Sequence, residues 1–139
     1  VQVRLLWLGP GHTRGDTAVF VEGDRVLFSG DLAMKEAFPA FTSAHSNIAS
    51  WLAALDRMED LRPTQVVGAH YGMGDASLIT AYRSYFTELR ARIAALKAQG
   101  VSADAAAKTL HEEFQKKYPG WEQPVRVQGA VSAAYSQLP

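Results

Sequence analysis

The chain has 139 residues, of which 47% are hydrophobic, and its 14 basic and 14 acidic side chains give a formal net charge of zero. A chain of this size can bury one core, so we expect a single domain over residues 1–139. The balanced charge provides no field for nucleic acid or an anionic membrane, and no apolar run approaches the roughly 18 residues of a membrane helix, so neither partner is expected. With no cysteine there is no disulfide framework, and the compartment stays open between cytoplasm and periplasm.

The front of the chain predicts β-strands. An apolar run from Val1 to Leu8 predicts a first strand, which ends at a Gly-Pro-Gly turn. The β-branched and aromatic runs Thr17–Val21 and Arg25–Phe28 flank Gly23-Asp24, a pair that suits a tight turn with positive φ. We therefore expect these two runs to form an antiparallel hairpin.

A helix and a further strand follow the hairpin. Apolar residues at helical spacing predict a helix from Ile48 to Leu61, with Ser46 or Asn47 as its N-cap and Pro63 closing it. The run Gln65–Val67 predicts a short buried strand. A helix-then-strand unit of this kind covers one face of a sheet.

The back of the chain is predicted to be helical. An apolar stripe predicts a long amphipathic helix that begins near Asp75 as N-cap and ends before Gly100 as C-cap. Ser102 is expected to cap a second helix, which stops before Pro119. The segment Val125–Leu138 is compatible with a strand or a helix. The long helix carries aromatic residues that we assign to the core: Tyr82, Tyr85 and Phe86.

Three short segments carry side chains that can bind metal ions, each at the exit of a predicted strand. The segments are Gly9–Asp16, which contains His12; Phe28–Asp31; and Val66–Gly72, which contains His70. Glycines beside such residues let the backbone turn sharply, and imidazole and carboxylate are ordinary ligands of zinc. Because the hairpin brings His12 and Asp31 to one edge of the sheet, we expect the metal-binding side chains to converge there. They predict half of a metal site, since a two-metal centre needs more ligands.

These segments resemble the third, fourth and fifth metal motifs of the metallo-β-lactamase-fold hydrolases. The resemblance implies an α/β fold, namely half of an αββα sandwich with a mixed sheet, helices on one face and a helical C-terminal part. The family's opening His-x-His-x-Asp-His signature has no counterpart, because the remaining histidines are His45, in a polar loop, and His111, on a predicted solvated helix face. Since the chain also starts at Val1 without a methionine, we expect the C-terminal portion of a longer domain. Activity would need the N-terminal half, in the same chain or as a partner.

The resemblance also implies roles for the three metal-binding residues. The complete site would hold two zinc ions, which this chain alone would bind weakly or not at all. Asp31 would bridge the two ions, His12 would complete the ligands of one, and His70 those of the other. No further catalytic residue is implied. Zinc lowers the pKa of bound water from about 15.7 towards 7, which makes hydroxide available at neutral pH.

Residues beside the motifs are expected to support the site. Thr13 and Asp16 are assigned hydrogen bonds that fix the His12 ring. Tyr71 is expected to face the substrate. The apolar side chains of Phe38 and Phe41 either line a substrate pocket or pack on the core, and both alternatives stay open.

Two functions are compatible with these residues. The first is a hydrolase that uses zinc-activated water on a small-molecule ester, thioester or amide-like substrate. An aspartate at position 31, where β-lactam-destroying enzymes of the fold generally have Cys or Ser, favours hydrolases that resemble glyoxalase II. The second is a non-catalytic remnant or interaction module, which could form a homo-oligomer that hides a bare sheet face.

Overall fold

The computed structural model describes residues 1–138 and shows a mixed sheet with four helices. The strands are β1 Val3–Trp7, β2 Thr17–Val21, β3 Val26–Gly30, β4 Gln65–Gly68 and β5 Met73–Gly74. The helices are α1 Ile48–Asp60, α2 Ser77–Ala98, α3 Ala103–Lys117 and α4 Arg126–Tyr135. The predicted α/β class, the mixed sheet and the helical C-terminal part are therefore confirmed.

The topology of the sheet brings several loops to one end. The strand order is β1-β2-β3-β4-β5, with β3 and β4 parallel and the other neighbours antiparallel. A parallel pair requires a crossover connection, which α1 provides between β3 and β4. The exits of β1, β3 and β4 consequently lie at the same end of the sheet.

The inner face of the sheet is covered by helices. Its buried side chains belong to the same hydrophobic core as the apolar residues of α1 and α2. The strand residues in this core include Ala18, Phe20, Leu27 and Val66. As predicted, the aromatic residues of the long helix are fully buried there: Tyr82, Tyr85 and Phe86. The helices thus lie on one face, as expected.

The outer face carries an apolar row across all five strands. The backbone register pairs Leu5 with Val19, Val19 with Phe28, Phe28 with Val67, and Val67 with Met73. Paired residues point to the same face of a sheet. Leu5 is 74% exposed, Phe28 44% and Met73 51%. We call these five residues the outer row, an apolar strip of which at least three side chains are exposed.

The hairpin between β2 and β3 forms, but its turn differs from the prediction. Val21 pairs with Val26, so residues 22–25 form the loop. The residue with positive φ is Arg25 at 54°, rather than Gly23 or Asp24. The reason is tertiary: the Arg25 carbonyl accepts the Thr64 amide at 2.9 Å, and the Arg25 guanidinium donates to the Arg62 carbonyl at 2.8 Å.

Side chains cap the starts of two helices, α1 and α3. Asn47, rather than Ser46, caps α1, because its side-chain oxygen accepts the Ser50 amide at 3.1 Å. Ser102 caps α3 as predicted. At the start of α2 the cap residue is Ala76, which corrects the prediction of Asp75; the Asp75 carboxylate instead accepts the Ser77 amide at 2.8 Å.

Two further outcomes concern the back of the chain. The long helix ends at Ala98 with Gln99, rather than the predicted Gly100, as its C-cap, and Gly100 follows with a φ of 75°. The ambiguous segment after Val125 is the helix α4. The two-residue strand β5 was not predicted, because it is too short to leave a sequence pattern. No helix within residues 1–138 has the combined length and apolar character needed to traverse a bilayer.

Candidate metal centre

The sheet topology brings the three predicted metal ligands together. Asp31 follows β3 directly, and its two carboxylate oxygens face two different histidines. Oδ2 lies 3.8 Å from Nε2 of His12, in the loop between β1 and β2. Oδ1 lies 3.6 Å from Nε2 of His70, in the loop after β4. One carboxylate therefore stands between two imidazoles that are far apart in sequence.

The donor set and its spacing fit zinc. Histidine nitrogen and carboxylate oxygen each bind zinc at about 2.0–2.2 Å, so two ligand atoms of one ion are at most about 4.3 Å apart. Both separations, 3.8 Å for His12 and 3.6 Å for His70, lie within this limit. Among residues 1–138, however, no three His, Cys, Asp or Glu side chains are grouped to hold one ion. The arrangement is two ligand pairs that share Asp31.

The ring of His12 is fixed by a backbone carbonyl. Its Nδ1 lies 2.8 Å from the carbonyl oxygen of Ala40, and its side chain is only 19% exposed. A carbonyl only accepts hydrogen bonds, so Nδ1 carries the proton and the lone pair of Nε2 in the neutral ring is free for a metal. Trp51 lies edge-on beside the ring, with centroids 6.4 Å apart.

Asp16 and Thr13 do not bond to the His12 ring, which corrects the role predicted for them. The Asp16 carboxylate accepts the amide of Gly11 at 2.9 Å, the amide of Thr13 at 3.0 Å and the Thr13 hydroxyl at 2.7 Å. It therefore stabilises the backbone on both sides of His12. Glycine suits position 11, since a Cβ there would lie 2.5 Å from Cδ2 of the buried Leu32 and that side chain would have to shift.

Buried hydrogen bonds join the loops that carry Asp31 and His70. The hydroxyl of Ser29, which is 1% exposed, lies 2.7 Å from the Ala33 carbonyl and 3.2 Å from the Val67 carbonyl. The amide of Ala69 donates to the Gly30 carbonyl at 2.9 Å. These contacts fix the exits of β3 and β4 relative to each other. Ser29 was not singled out from the sequence, because a serine beside a glycine is common in any turn.

His70 and Tyr71 occupy an open position. The His70 side chain is 64% exposed, and none of the residues 1–138 hydrogen-bonds to its ring nitrogens. Tyr71 is 38% exposed, with a left-handed backbone at φ 64°, and its ring centroid lies 6.2 Å from that of His70. Tyr71 therefore stands at the rim of the centre, where a bound molecule could reach it.

Of the two alternatives for Phe38 and Phe41, the structure favours packing on the core for both residues. Phe38 is completely buried, with its ring 5.2 Å from that of Trp121, so it packs in the core and does not line a pocket. Phe41 is half-buried, stacks on Trp51 at 5.4 Å and packs against the hydrophobic core. The predicted substrate contact of Phe38 is thus corrected, because the aromatic core encloses its side chain.

The remaining histidines lie outside the centre. His45 is exposed in the loop before α1. His111 is half-buried rather than solvated, because its Nδ1 lies 2.9 Å from the side-chain amide of Gln128 between α3 and α4. Neither faces Asp31, so both are natural controls for experiments on the centre.

Comparisons with known proteins show what the chain is similar to. Residues 4–70, which contain all three predicted ligands, match the model of the metallo-beta-lactamase superfamily. A metallo-beta-lactamase from Pontibacter korlensis is 26% identical, with a TM-score of 0.55 over 62% of this chain and 41% of its own length. A metallo-beta-lactamase family protein from Thermus thermophilus is 23% identical, with a TM-score of 0.66 over 97% of this chain and 44% of its own. A search of curated proteins finds no match.

The length of the chain sets the scope of these comparisons. It spans about two fifths of the length of the two solved structures, at 41% and 44%. Within that span the mixed sheet and the helical back agree with the fold that the resemblance implies. The chain therefore has a metallo-β-lactamase-like fold, and its residues 4–70 match the model of that superfamily.

Proposed function

We propose that the chain forms one wall of a metal-dependent hydrolase centre. The proposal depends above all on Asp31, whose two oxygens face two different histidines at 3.8 and 3.6 Å. A carboxylate placed in this way is suited to bridge two ions. His12 would then bind one ion and His70 the other.

The reaction is the hydrolysis of an ester, thioester or amide-like small molecule. Zinc, when bound here, supplies water of lowered pKa as the nucleophile. The water oxygen forms a bond to the acyl carbon, the bond to the leaving oxygen, sulfur or nitrogen breaks, and the leaving group takes up a proton. Asp31 and His12, which lie in loops at the end of the sheet, would hold the metal in place. Tyr71, at the rim of the centre, would contact the substrate.

The ligands of this chain are incomplete, and we propose that a second body supplies the rest. Three ligands are too few for two ions, each of which needs about three protein ligands. The outer row offers an apolar face beside the same centre, with Leu5 74% exposed. A body that covers this row, in the same polypeptide or as a partner, would bring further ligands to Asp31 and would exclude water from the face.

Titration with Co²⁺, whose d–d absorption reports ligand binding, tests the proposal. Weak uptake is expected, and His12→Ala and His70→Ala should each weaken it at least about tenfold. His45→Ala and His111→Ala are matched controls that should leave uptake unchanged, because neither side chain faces Asp31. Uptake that survives both His12→Ala and His70→Ala would overturn the proposal.

Activity is tested by adding a polypeptide that carries a His-x-His-x-Asp-His run and measuring the release of thiol from a thioester. Turnover is expected only for the mixture, and it should be lost with Asp31→Asn. Metal uptake without turnover on thioesters, esters or amides would contradict the hydrolase assignment.

The outer row favours one alternative function. A chain that binds no Co²⁺ but forms a stable oligomer would be a non-catalytic interaction module of the same fold. Leu5→Lys and Phe28→Lys should then dissociate the oligomer, because both substitutions place a charge in the apolar row. Sedimentation of the parent and variant chains, together with the Co²⁺ titration, decides between the two functions.

A further inference from the structure

One loop, residues 38–46, makes three contacts with His12. The Ala40 carbonyl accepts from the ring Nδ1 at 2.8 Å. The hydroxyls of Thr42 and Ser46 donate to the backbone carbonyl of His12 at 3.0 and 2.8 Å. We call this segment the His12 loop, because it holds both the ring and the backbone of that residue.

The ring contact decides which nitrogen faces Asp31. With Nδ1 bonded to the Ala40 carbonyl, Nε2 is the atom that points to Asp31 at 3.8 Å. A partner on the far nitrogen of a ligand histidine fixes its tautomer and orientation and raises the basicity of the near nitrogen. The position of the Ala40 carbonyl relative to His12 therefore determines whether the ring is ready to bind a metal.

The two ends of the His12 loop are anchored to the C-terminal helical region. Arg126, at the start of α4, donates to the Phe38 carbonyl at 3.1 Å. The side-chain amide of Gln137, just after α4, donates to the Ser46 carbonyl at 3.1 Å. The loop is thus held at both ends by a region about 90 residues further along the chain.

Ser46 connects this anchored loop to His12. Its side chain is completely buried, and its hydroxyl makes the shorter of the two bonds to the His12 carbonyl. Ser43, in the same loop, lies 3.4 Å from the Ser46 hydroxyl but does not contact His12. Ser46 can therefore be compared with a neighbouring serine that shares its loop but not its contact.

We propose that Ser46 is a positioning residue for His12, which keeps the ring in the Nδ1–H form by holding the His12 backbone against the His12 loop. The consequence for metal binding rests on the proposed function. The orientation of the ring is a property of the metal-free chain and can be measured without any metal.

The first test records the ring nitrogens of metal-free chain labelled with ¹⁵N-histidine, at a pH where the imidazoles are neutral. His12 is expected as the Nδ1–H tautomer in the parent. In Ser46→Ala its ring signals should move towards a mixture of tautomers, while the exposed His70 stays unchanged as an internal reference. Ser43→Ala should leave His12 as in the parent.

A second variant guards against misfolding of Ser46→Ala. Thr42 is exposed, so Thr42→Val should fold normally and shift the His12 signals in the same direction by a smaller amount. An Nε2–H tautomer in the parent, or unchanged His12 signals in both variants, would overturn the proposal.

Co²⁺ affinity provides the second readout. Ser46→Ala is expected to weaken uptake about tenfold, as is typical when a residue that orients a ligand is removed, and Ser43→Ala should not. Equal affinity of Ser46→Ala and the parent contradicts the positioning role. A parent that takes up no Co²⁺ refutes the proposed function instead, and the tautomer spectra then still decide the role of Ser46.

Discussion

The two histidines that face Asp31 differ in how firmly the fold holds them. The His12 side chain is 19% exposed, and the His12 loop holds its ring and its backbone. The His70 side chain is 64% exposed and stands beside Tyr71 at the surface. The Asp31 carboxylate therefore faces one histidine that the fold holds firmly and one that is free to move.

This difference has an energetic meaning. Ordering a free side chain upon binding loses rotamer entropy, whereas a side chain that is already fixed has lost it during folding. Under the proposed function, His12 would bind a metal with little loss of side-chain entropy, whereas His70 would lose more when it binds. We call the surroundings of His12 the fixed side of the centre, because a distant segment of the chain, the His12 loop, holds this residue. We call the surroundings of His70 the open side, because only the short loop after β4 carries this residue.

Asp31→Asn should produce the largest effect, because it removes the charge shared by both sides. The affinity for Co²⁺ should fall at least about 100-fold, beyond the 10–100-fold typical of residues that only orient ligands. In the ¹⁵N-histidine spectrum His70 should change while His12, held by Ala40, keeps its tautomer. Asp60→Asn, on the exposed end of α1, is the control. If the ring signals of His12 change and those of His70 do not, then His12 is the less firmly held of the two histidines and the comparison is wrong.

Glycine substitutions in the loops of His12 and His70 test the same difference through the free energy of unfolding. Gly11→Ala would place a Cβ 2.5 Å from Leu32 on the fixed side, and we expect a loss of about 2 kcal/mol in the free energy of unfolding. Gly72→Ala, on the open side, meets nothing within 4 Å and is strained only by its φ of +85°, which costs about 1 kcal/mol. Urea unfolding followed by tryptophan fluorescence measures both. Equal losses would mean that the two loops are packed alike.

The sequence predicted those parts of the centre that depend on residue type and strand order. His12, Asp31 and His70 lie beside glycines at strand exits. The hairpin and the helix-then-strand unit follow from residue type, periodicity and the turn and cap residues between the elements. The three side chains accordingly meet at one end of the sheet. The edge of the sheet where these side chains meet could be predicted from strand pairing alone, without other long-range contacts.

The supporting contacts could not be predicted, because most of them use the backbone. Ala40 orients the His12 ring through its backbone carbonyl, and an alanine side chain does not indicate such a role in the sequence. Asp16 was expected at the His12 ring but bonds to backbone amides within its own loop. Ser46 looked like a helix cap in the sequence, whereas its hydroxyl reaches His12, 34 residues away. Only the folded chain brings such groups together.

Tyr82→Phe should produce the smallest effect, yet it tests how far the fixed side extends. The buried Tyr82 hydroxyl donates at 2.8 Å to the carbonyl of Ala37, just before the His12 loop. Burial raises the pKa of Tyr82, so the hydroxyl stays protonated and donates throughout the neutral range. Its removal leaves that carbonyl unpaired, and we expect a loss of about 1 kcal/mol in unfolding free energy.

Tyr85→Phe is the matched control for this change. The Tyr85 hydroxyl is equally buried but has no hydrogen-bond partner within residues 1–138, so its removal should leave stability the same or slightly higher. If the His12 loop transmits order from α2 to the ligand, Tyr82→Phe should also broaden the His12 ring signals, while Tyr85→Phe and the signals of His70 remain unaffected. Equal His12 signals in the two variants would mean that the hydrogen bond at Ala37 does not affect the order of the ring. The firmly held part of the centre would then end at the His12 loop.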